Sequence, residues 1–222
     1  MRKKSLLLCS FLVLLLFALS SVALAAASDT AKPLRLARVP LIVRSANVGA
    51  GVQEMLEDRL DLALHVPLND TMHYVEEIPQ SEVEVALQDV LADLSQGKKR
   101  VKMKDAMQPL AEKLDADLVV CPVLTDYYEY IFYGGWDGWN SGDTIRIESY
   151  AALELDGYDK SADKNFSKST SRFYHDGYSQ TGRADALAKD ALEALIVETD
   201  INERIMRPVK ARAASAEVSA NE

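Results

Sequence analysis

Cysteine is nearly missing from this chain: Cys9 and Cys121 are the only two, and Cys9 falls inside an apolar leader. With that leader removed no internal disulfide can form, so the fold must rest on packing even in an oxidising compartment. Histidine is scarce as well. His65, His73 and His175 stand far apart with no pair at metal-ligand spacing, and Cys121 has no cysteine companion, which argues against zinc. Gly-x-Ser-x-Gly, Walker-type and His-Glu-x-x-His runs are also lacking, so nothing supports nucleophilic, phosphoryl or metallopeptidase chemistry. No catalytic residue and no cofactor is expected.

Charge is missing altogether between Lys4 and Asp29. Arg2, Lys3 and Lys4 followed by an apolar run and by Ala23, Leu24 and Ala25 are what a secretory peptidase reads, which predicts a signal peptide over residues 1–25. The expected address is periplasmic or extracellular. About 20 apolar residues also suffice to span a bilayer, so membrane contact through this segment follows only if it stays uncut. Cys9 sits mid-run, badly placed to carry a lipid. The leader holds three basic and no acidic residues, so the remaining 197 residues balance 22 Lys and Arg against 34 Asp and Glu, a net of −12. An acidic surface of this kind repels phosphates, and nucleic acid is excluded as a partner. Residues 26–33 read as a linker and 208–222, poor in anything worth burying, as a disordered tail. One domain over 34–207 remains.

Within it, Leu34 to Val43 reads as a first strand. Val52, Met55, Leu56, Leu60, Ala63 and Leu64 then recur at helical spacing, and His73 to Ile78 is a short strand closed by Pro79. Ser81 with Glu84 suggests a capping box ahead of a second helix, and Met103, Met107, Leu110 and Leu114 mark a third. Leu118 to Leu124 looks like a strand buried on both faces, although Pro122 cannot donate to a ladder. Ile145 to Leu155 alternates with period two, and a polar connector over 156–165 leads to its antiparallel partner, Phe166 to His175. A last helix carries Ala184 to Ile196 and is expected to run on toward Ile205. Strands separated by helices, then a hairpin, predict an α/β domain with a mixed sheet of about five strands covered by about four helices.

The aromatic distribution is the strongest anomaly. Tyr127, Tyr128, Tyr130, Phe132, Tyr133, Trp136 and Trp139 are seven of the 14 aromatics outside the leader, gathered in 13 residues. Four glycines interleave with the tryptophans and put Trp136 and Trp139 on a loop, where exposed rings are expected to meet a protein partner or a glycan. Phe132, Tyr133, Trp136 and Trp139 are the candidate contact residues. For Tyr127 to Tyr133 as a group, packing into the core is the plainer expectation, since a strand accounts for half of them. Asp126 and Glu129 beside this stretch offer a second hypothesis, a wall-active hydrolase with one carboxylate as acid and another as base or nucleophile. The near-fingerprint Gly49-Ala50-Gly51-Val52-Gln53-Glu54 lacks its third glycine and reads as a turn entering a helix. Asp156, Asp159, Asp163 and Asn165 read as a solvated connector rather than a calcium loop. Lys98, Lys99, Arg100, Lys102 and Lys104 read as a solvated interhelix run.

The order of strand, helix around Glu54 to Leu64, strand His73 to Ile78, helix from Ser81, then Ala116-Asp117-Leu118-Val119-Val120 and a late hairpin resembles a group of bacterial envelope domains. These are the TolB amino-terminal domain, the curli secretion channel subunit and the lipoprotein activators of penicillin-binding proteins. The resemblance implies a non-enzymatic α/β module that docks to envelope components and leaves a homo-oligomer open. It carries no catalytic residues over, and this chain lacks the lipid-bearing cysteine of many such relatives.

Overall fold

The computed structural model describes residues 33–46, 48–64, 75–96, 101–133 and 145–207 of the 222. Six strands form one mixed sheet: β1 (Leu34–Arg38), β2 (Ile42–Val43), β3 (Val75–Glu77), β4 (Leu118–Tyr133), β5 (Ile145–Asp159) and β6 (Lys164–Gly177). The order is β3-β1-β4-β5-β6, with β2 also against β4. Pairings among β1, β2, β3 and β4 are parallel, and β4-β5 and β5-β6 are antiparallel. Among the described residues it is covered by α1 (Ala50–Leu64), α2 (Gln80–Ser95), α3 (Met103–Leu114) and α4 (Ala184–Glu198). The mixed sheet and its helices match the expected α/β class.

Alternation along β4 builds two cores at once. Leu118, Val120 and Leu124 face a cluster with Leu56 and Leu60 of α1 and Ala188, Leu192 and Leu195 of α4. Val119, Cys121 and Val123 face the other way, onto Val83 and Leu87 of α2 and Met107 and Leu110 of α3. A strand buried on both faces must be apolar at every position, which is why Leu118 to Leu124 is a continuous run. Burial pushes the Cys121 thiol far above its ordinary range, leaving it inert.

The single first strand expected from sequence is two. Pro40 interrupts it, and Leu41 N–H donates to the Glu57 carboxylate instead of to the sheet. Arg38, itself buried, pairs with Glu57 and with Asp61 at 2.8 Å, so α1 holds the break in place. The break also accommodates Pro122. Val120 and Leu124 accept from Val39 N and Arg44 N at 2.9 Å, and alternation turns the Pro122 nitrogen toward the same side, where β1 has ended and β2 not begun. A missing donor therefore costs no ladder bond.

Three further expectations are corrected. Ser81 is not a cap: Pro79 occupies that position, its carbonyl accepting from Glu82 N and Val83 N, and Ser81 falls inside the first turn. The connector is far shorter than 156–165, because β5 runs to Asp159 and β6 begins at Lys164. Asp159 is buried against Arg204 at 2.9 Å, and Asp163, with φ of 46°, accepts from the Tyr158 hydroxyl at 2.7 Å. The last helix does not run through. Asp200 adopts φ of 52°, and a separate helical stretch follows over 201–207.

Candidate functional site

Beyond Leu124 the same strand changes character. Between Leu124 and Asp126 the register with β5 shifts by one, leaving Thr125 unpaired, and its hydroxyl donates to Ala152 O at 2.9 Å. A one-residue bulge exchanges the two faces of everything downstream. Before it, even-numbered residues face α1 and α4; after it, odd-numbered ones do, beginning with Tyr127 against that core. Tyr128, Tyr130 and Phe132 are thereby turned to the opposite face, beyond the reach of α2 and α3.

On that face the register assembles rows across three strands. Tyr128 stands opposite Tyr150, which stands opposite Phe173. The next row is Tyr130, Glu148 and His175, and the next joins Phe132 to Arg146. The Tyr128 and Tyr150 rings stack with centroids 5.6 Å apart, and Tyr128 and Tyr130 lie 5.3 Å apart. Tyr130 is 58% exposed and Phe173 60%, so this is an open aromatic sheet face and not a core. Its polar centre is Glu148, which accepts from the Tyr128 hydroxyl at 3.4 Å and contacts His175 Nδ1 at 3.1 Å. Partial burial and the Glu148 charge both raise the Tyr128 phenol above its ordinary value, which keeps it a donor. The rings thus surround groups able to give and accept hydrogen bonds.

The opposite face of the same strands is closed. Glu129 Oε2 accepts from Ala184 N at 2.8 Å, at the amino end of α4, where a carboxylate meets free N–H groups and the positive end of the helix dipole. Arg183 lies 3.8 Å from the same oxygen and 3.6 Å from Asp185 Oδ1, and the charges of Asp185 and Glu129 raise its pKa. Gly182 is packed so tightly that a Cβ would lie 2.4 Å from the Tyr174 ring. Ser149 and Ile147 lie fully buried on this side.

Of the residues singled out from sequence, Phe132 is half exposed on the aromatic face, and Tyr133, the last residue of β4, is 77% exposed on the other face. The two are neighbours that point apart. Trp136 and Trp139 lie outside the described residues. Core packing, the plainer expectation for Tyr127 to Tyr133, is corrected for Tyr130, Phe132 and Tyr133, which project past the helices. Asp126 and Glu129 fall on opposite faces of the sheet, the first bonded to Tyr127 N and the second at α4, so they do not flank one groove. Tyr150, Glu148, Phe173 and His175 were missed, since only strand pairing brings them to Tyr128. The signal available was the alternation of Ser171, Phe173 and His175 on a strand already expected to pair with β5. Gly49 accepts from Val52 N and Gln53 N at the start of α1, and a Cβ at Gly49 or Gly51 would meet nothing within 4 Å, as in a simple turn. Among the described residues no cluster of His, Cys, Asp or Glu is arranged to hold a metal, and no helix is long and apolar enough to cross a membrane. A pocket of about 320 Å³ lined by Asp117, Asp159, Lys160 and Arg204 lies away from the aromatic face, with Asp159 and Arg204 already paired.

No family model matches the chain, and no curated protein matches it. Solved structures similar to it include bacterial lipoproteins. Lipoprotein GNA1162 from Neisseria meningitidis is 18% identical, covering 77% of this chain and 99% of that one, with a TM-score of 0.35. The C-terminal domain of LpoB from Salmonella enterica is 12% identical over 68% of this chain and 91% of its own, at 0.30. A PelC dodecamer from Paraburkholderia phytofirmans is 13% identical over 74% and 85%, at 0.35. Likeness at this level carries no argument about what the chain does.

Proposed function

We propose that the chain is exported by its leader and works as a non-enzymatic binding or assembly module of the cell envelope, meeting a protein partner or a glycan through the aromatic surface of β4, β5 and β6. The observation that carries this reading is the row Tyr128, Tyr150 and Phe173, continued by Tyr130 and Phe132, on a face that none of the described helices covers. Large rings left in water are costly unless a partner covers them, and Glu148, His175 and Arg146 among them supply hydrogen bonds for specificity. The segment 134–144, joining β4 to β5, adds Trp136 and Trp139 in sequence. The pairing of Glu129 with α4 gives that carboxylate a structural task.

The test is retention on envelope fractions and on isolated cell-wall polymer. Tyr130→Ala with Phe173→Ala, and separately Trp136→Ala with Trp139→Ala, are expected to abolish it. Retention unchanged in both pairs overturns the reading.

A further inference from the structure

β6 is the outer strand of the sheet, and its open edge is long. All 14 of its residues pair with β5 without a bulge, and among the described residues no strand lies beyond it. Tyr178 N donates to Ile145 O at 2.8 Å, which fixes the phase of the ladder. Even-numbered residues of β6 bond to β5, while odd-numbered ones turn their N–H and C=O groups outward. From Asn165 to His175 every one of these outward residues is exposed. The chain's own side chains reach the edge at Ser171 O, which accepts from Arg172 Nη1 at 3.2 Å, and at Gly177, whose N–H donates to Asp176 Oδ1 and whose carbonyl accepts from the Tyr174 hydroxyl. Gly177 closes one end; Ser171 O keeps a second lone pair for another donor.

A row of unpaired backbone groups is a template for a further strand, and proteins blunt it with proline, bulges or charge. β6 has no proline and no bulge, so charge is the device it uses. On the side of Phe166, packed toward α4, it carries Lys164, Lys168 and Arg172 against one acid, Asp176. Arg172 is bonded to Asp190 of α4, while Lys164 and Lys168 are exposed and make no ion pair among the described residues. In a chain of net charge −9 this row is a basic strip. It disfavours a second copy: antiparallel self-pairing centred on Ser169, Thr170 or Ser171 sets Lys168 or Arg172 opposite or diagonal to a basic residue of the copy. The same charges favour a strand that is acidic on that side. On the other side Ser167, Ser169 and Ser171 are small and leave room for its alternate residues.

We propose that the outer edge of β6, from Asn165 to His175, takes an extended segment of a partner protein as an additional strand, acidic at the alternate residues that lie beside Lys164 and Lys168. Main-chain hydrogen bonds supply the attraction and the basic strip selects the partner. The contact goes beyond the aromatic face and stands without it.

The experiment titrates the full chain with a fluorescein-labelled peptide of about eight residues in which Glu alternates with Val and Thr. Anisotropy is expected to rise, and amide exchange at the outward residues Ser167, Ser169 and Ser171 to slow by about tenfold or more, while the even-numbered amides, already bonded to β5, stay as they were. Ser169→Pro deletes an outward N–H and no bond to β5, and Lys164→Glu with Lys168→Glu reverses the strip; each should weaken binding by about tenfold or more. Should the proline variant fail to fold, the exposed lysine pair decides alone. A peptide with Lys in place of Glu is expected to bind the charge-reversed variant and not the parent. No rise in anisotropy, binding without slowed exchange at the outward amides, binding unchanged in the variants, or equal binding of both peptides by the parent overturns the proposal. So does slowed exchange at those amides without peptide, together with a doubled mass, which assigns the edge to a second copy. None of these variants removes a ring, so failure here leaves the aromatic reading to its own test.

Discussion

β4 contains two strands in one. From Leu118 to Leu124 every side chain is buried, between α1 and α4 on one side and α2 and α3 on the other. From Asp126 to Tyr133 the strand stays paired with β5, yet no side chain is fully buried and the last four, Tyr130 to Tyr133, are all exposed. Residue type alone does not produce this difference, because both halves are largely apolar. Helix coverage does, together with the bulge at Thr125, which decides which half of the aromatic residues meets α4. The comparison teaches that a sheet longer than its helices turns surplus apolar residues into a surface.

Deleting Thr125 breaks the relation between the halves most severely. Tyr127 and Glu129 would leave the α4 side and Tyr128 would be driven under it, so a loss on the order of 4 kcal/mol or outright failure to fold is expected in chemical denaturation. Gly157→Ala strikes the buried half. A Cβ there would lie 2.2 Å from the Phe166 ring and 2.4 Å from Val119 O, and since the second is backbone of β4, a loss of about 2–3 kcal/mol should appear in the same assay. Glu129→Gln removes the charge at the amino end of α4 and should cost about 1 kcal/mol, with hydrogen exchange rising first over the opening turn of α4.

Asp156, opposite Cys121 in the buried half, sharpens the comparison through pH. It is 1% exposed, and burial, reinforced by the Glu154 charge, raises its pKa above the ordinary 3.8, while the Ser167 hydroxyl and, more distantly, Arg44 and Lys104 pull the other way. A carboxyl whose folded value is raised holds its proton more tightly in the fold. Its contribution is complete below the unfolded value and is lost as pH rises through the raised one. Asp156→Asn should therefore match the parent near pH 4 and exceed it by about 1 kcal/mol at neutral pH, read from urea midpoints. The smallest effect belongs to the exposed half: Tyr130→Ser with Phe132→Ser should change stability by less than about 0.5 kcal/mol. A large loss there would mean that these rings pack after all.

Much of the fold was legible because period and burial report on each other. The run Leu118 to Leu124 could only be a strand covered twice, and the alternation of Ile145 to Leu155 only a strand covered once. What misled was local grammar. Ser81 and Glu84 satisfy a capping pattern, but Pro79, with its fixed φ and an extended ψ of 130°, already sets the first turn. Pro40 splits a strand whose apolar pattern runs straight through it, because a side-chain carboxylate from α1 stands in for the sheet. Asp156 and Asp159 look like loop residues by composition and are buried, the second held by Arg204. The aromatic density between Tyr127 and Trp139 marked the right region, but not its partners on β5 and β6.

Sequence by itself determined the uncharged apolar run near the start, the scarcity of cysteine, the acidic balance, the α/β order and the concentration of rings, since each is a property of residue type and spacing. Tertiary structure alone decided which rings share a face and which of them stay wet. One unpaired residue at the bulge inverts the parity of every residue after it, and the described helices leave Tyr130 and Phe132 on that inverted face exposed. Neither a register nor the reach of a neighbouring helix is written in the residues that they expose.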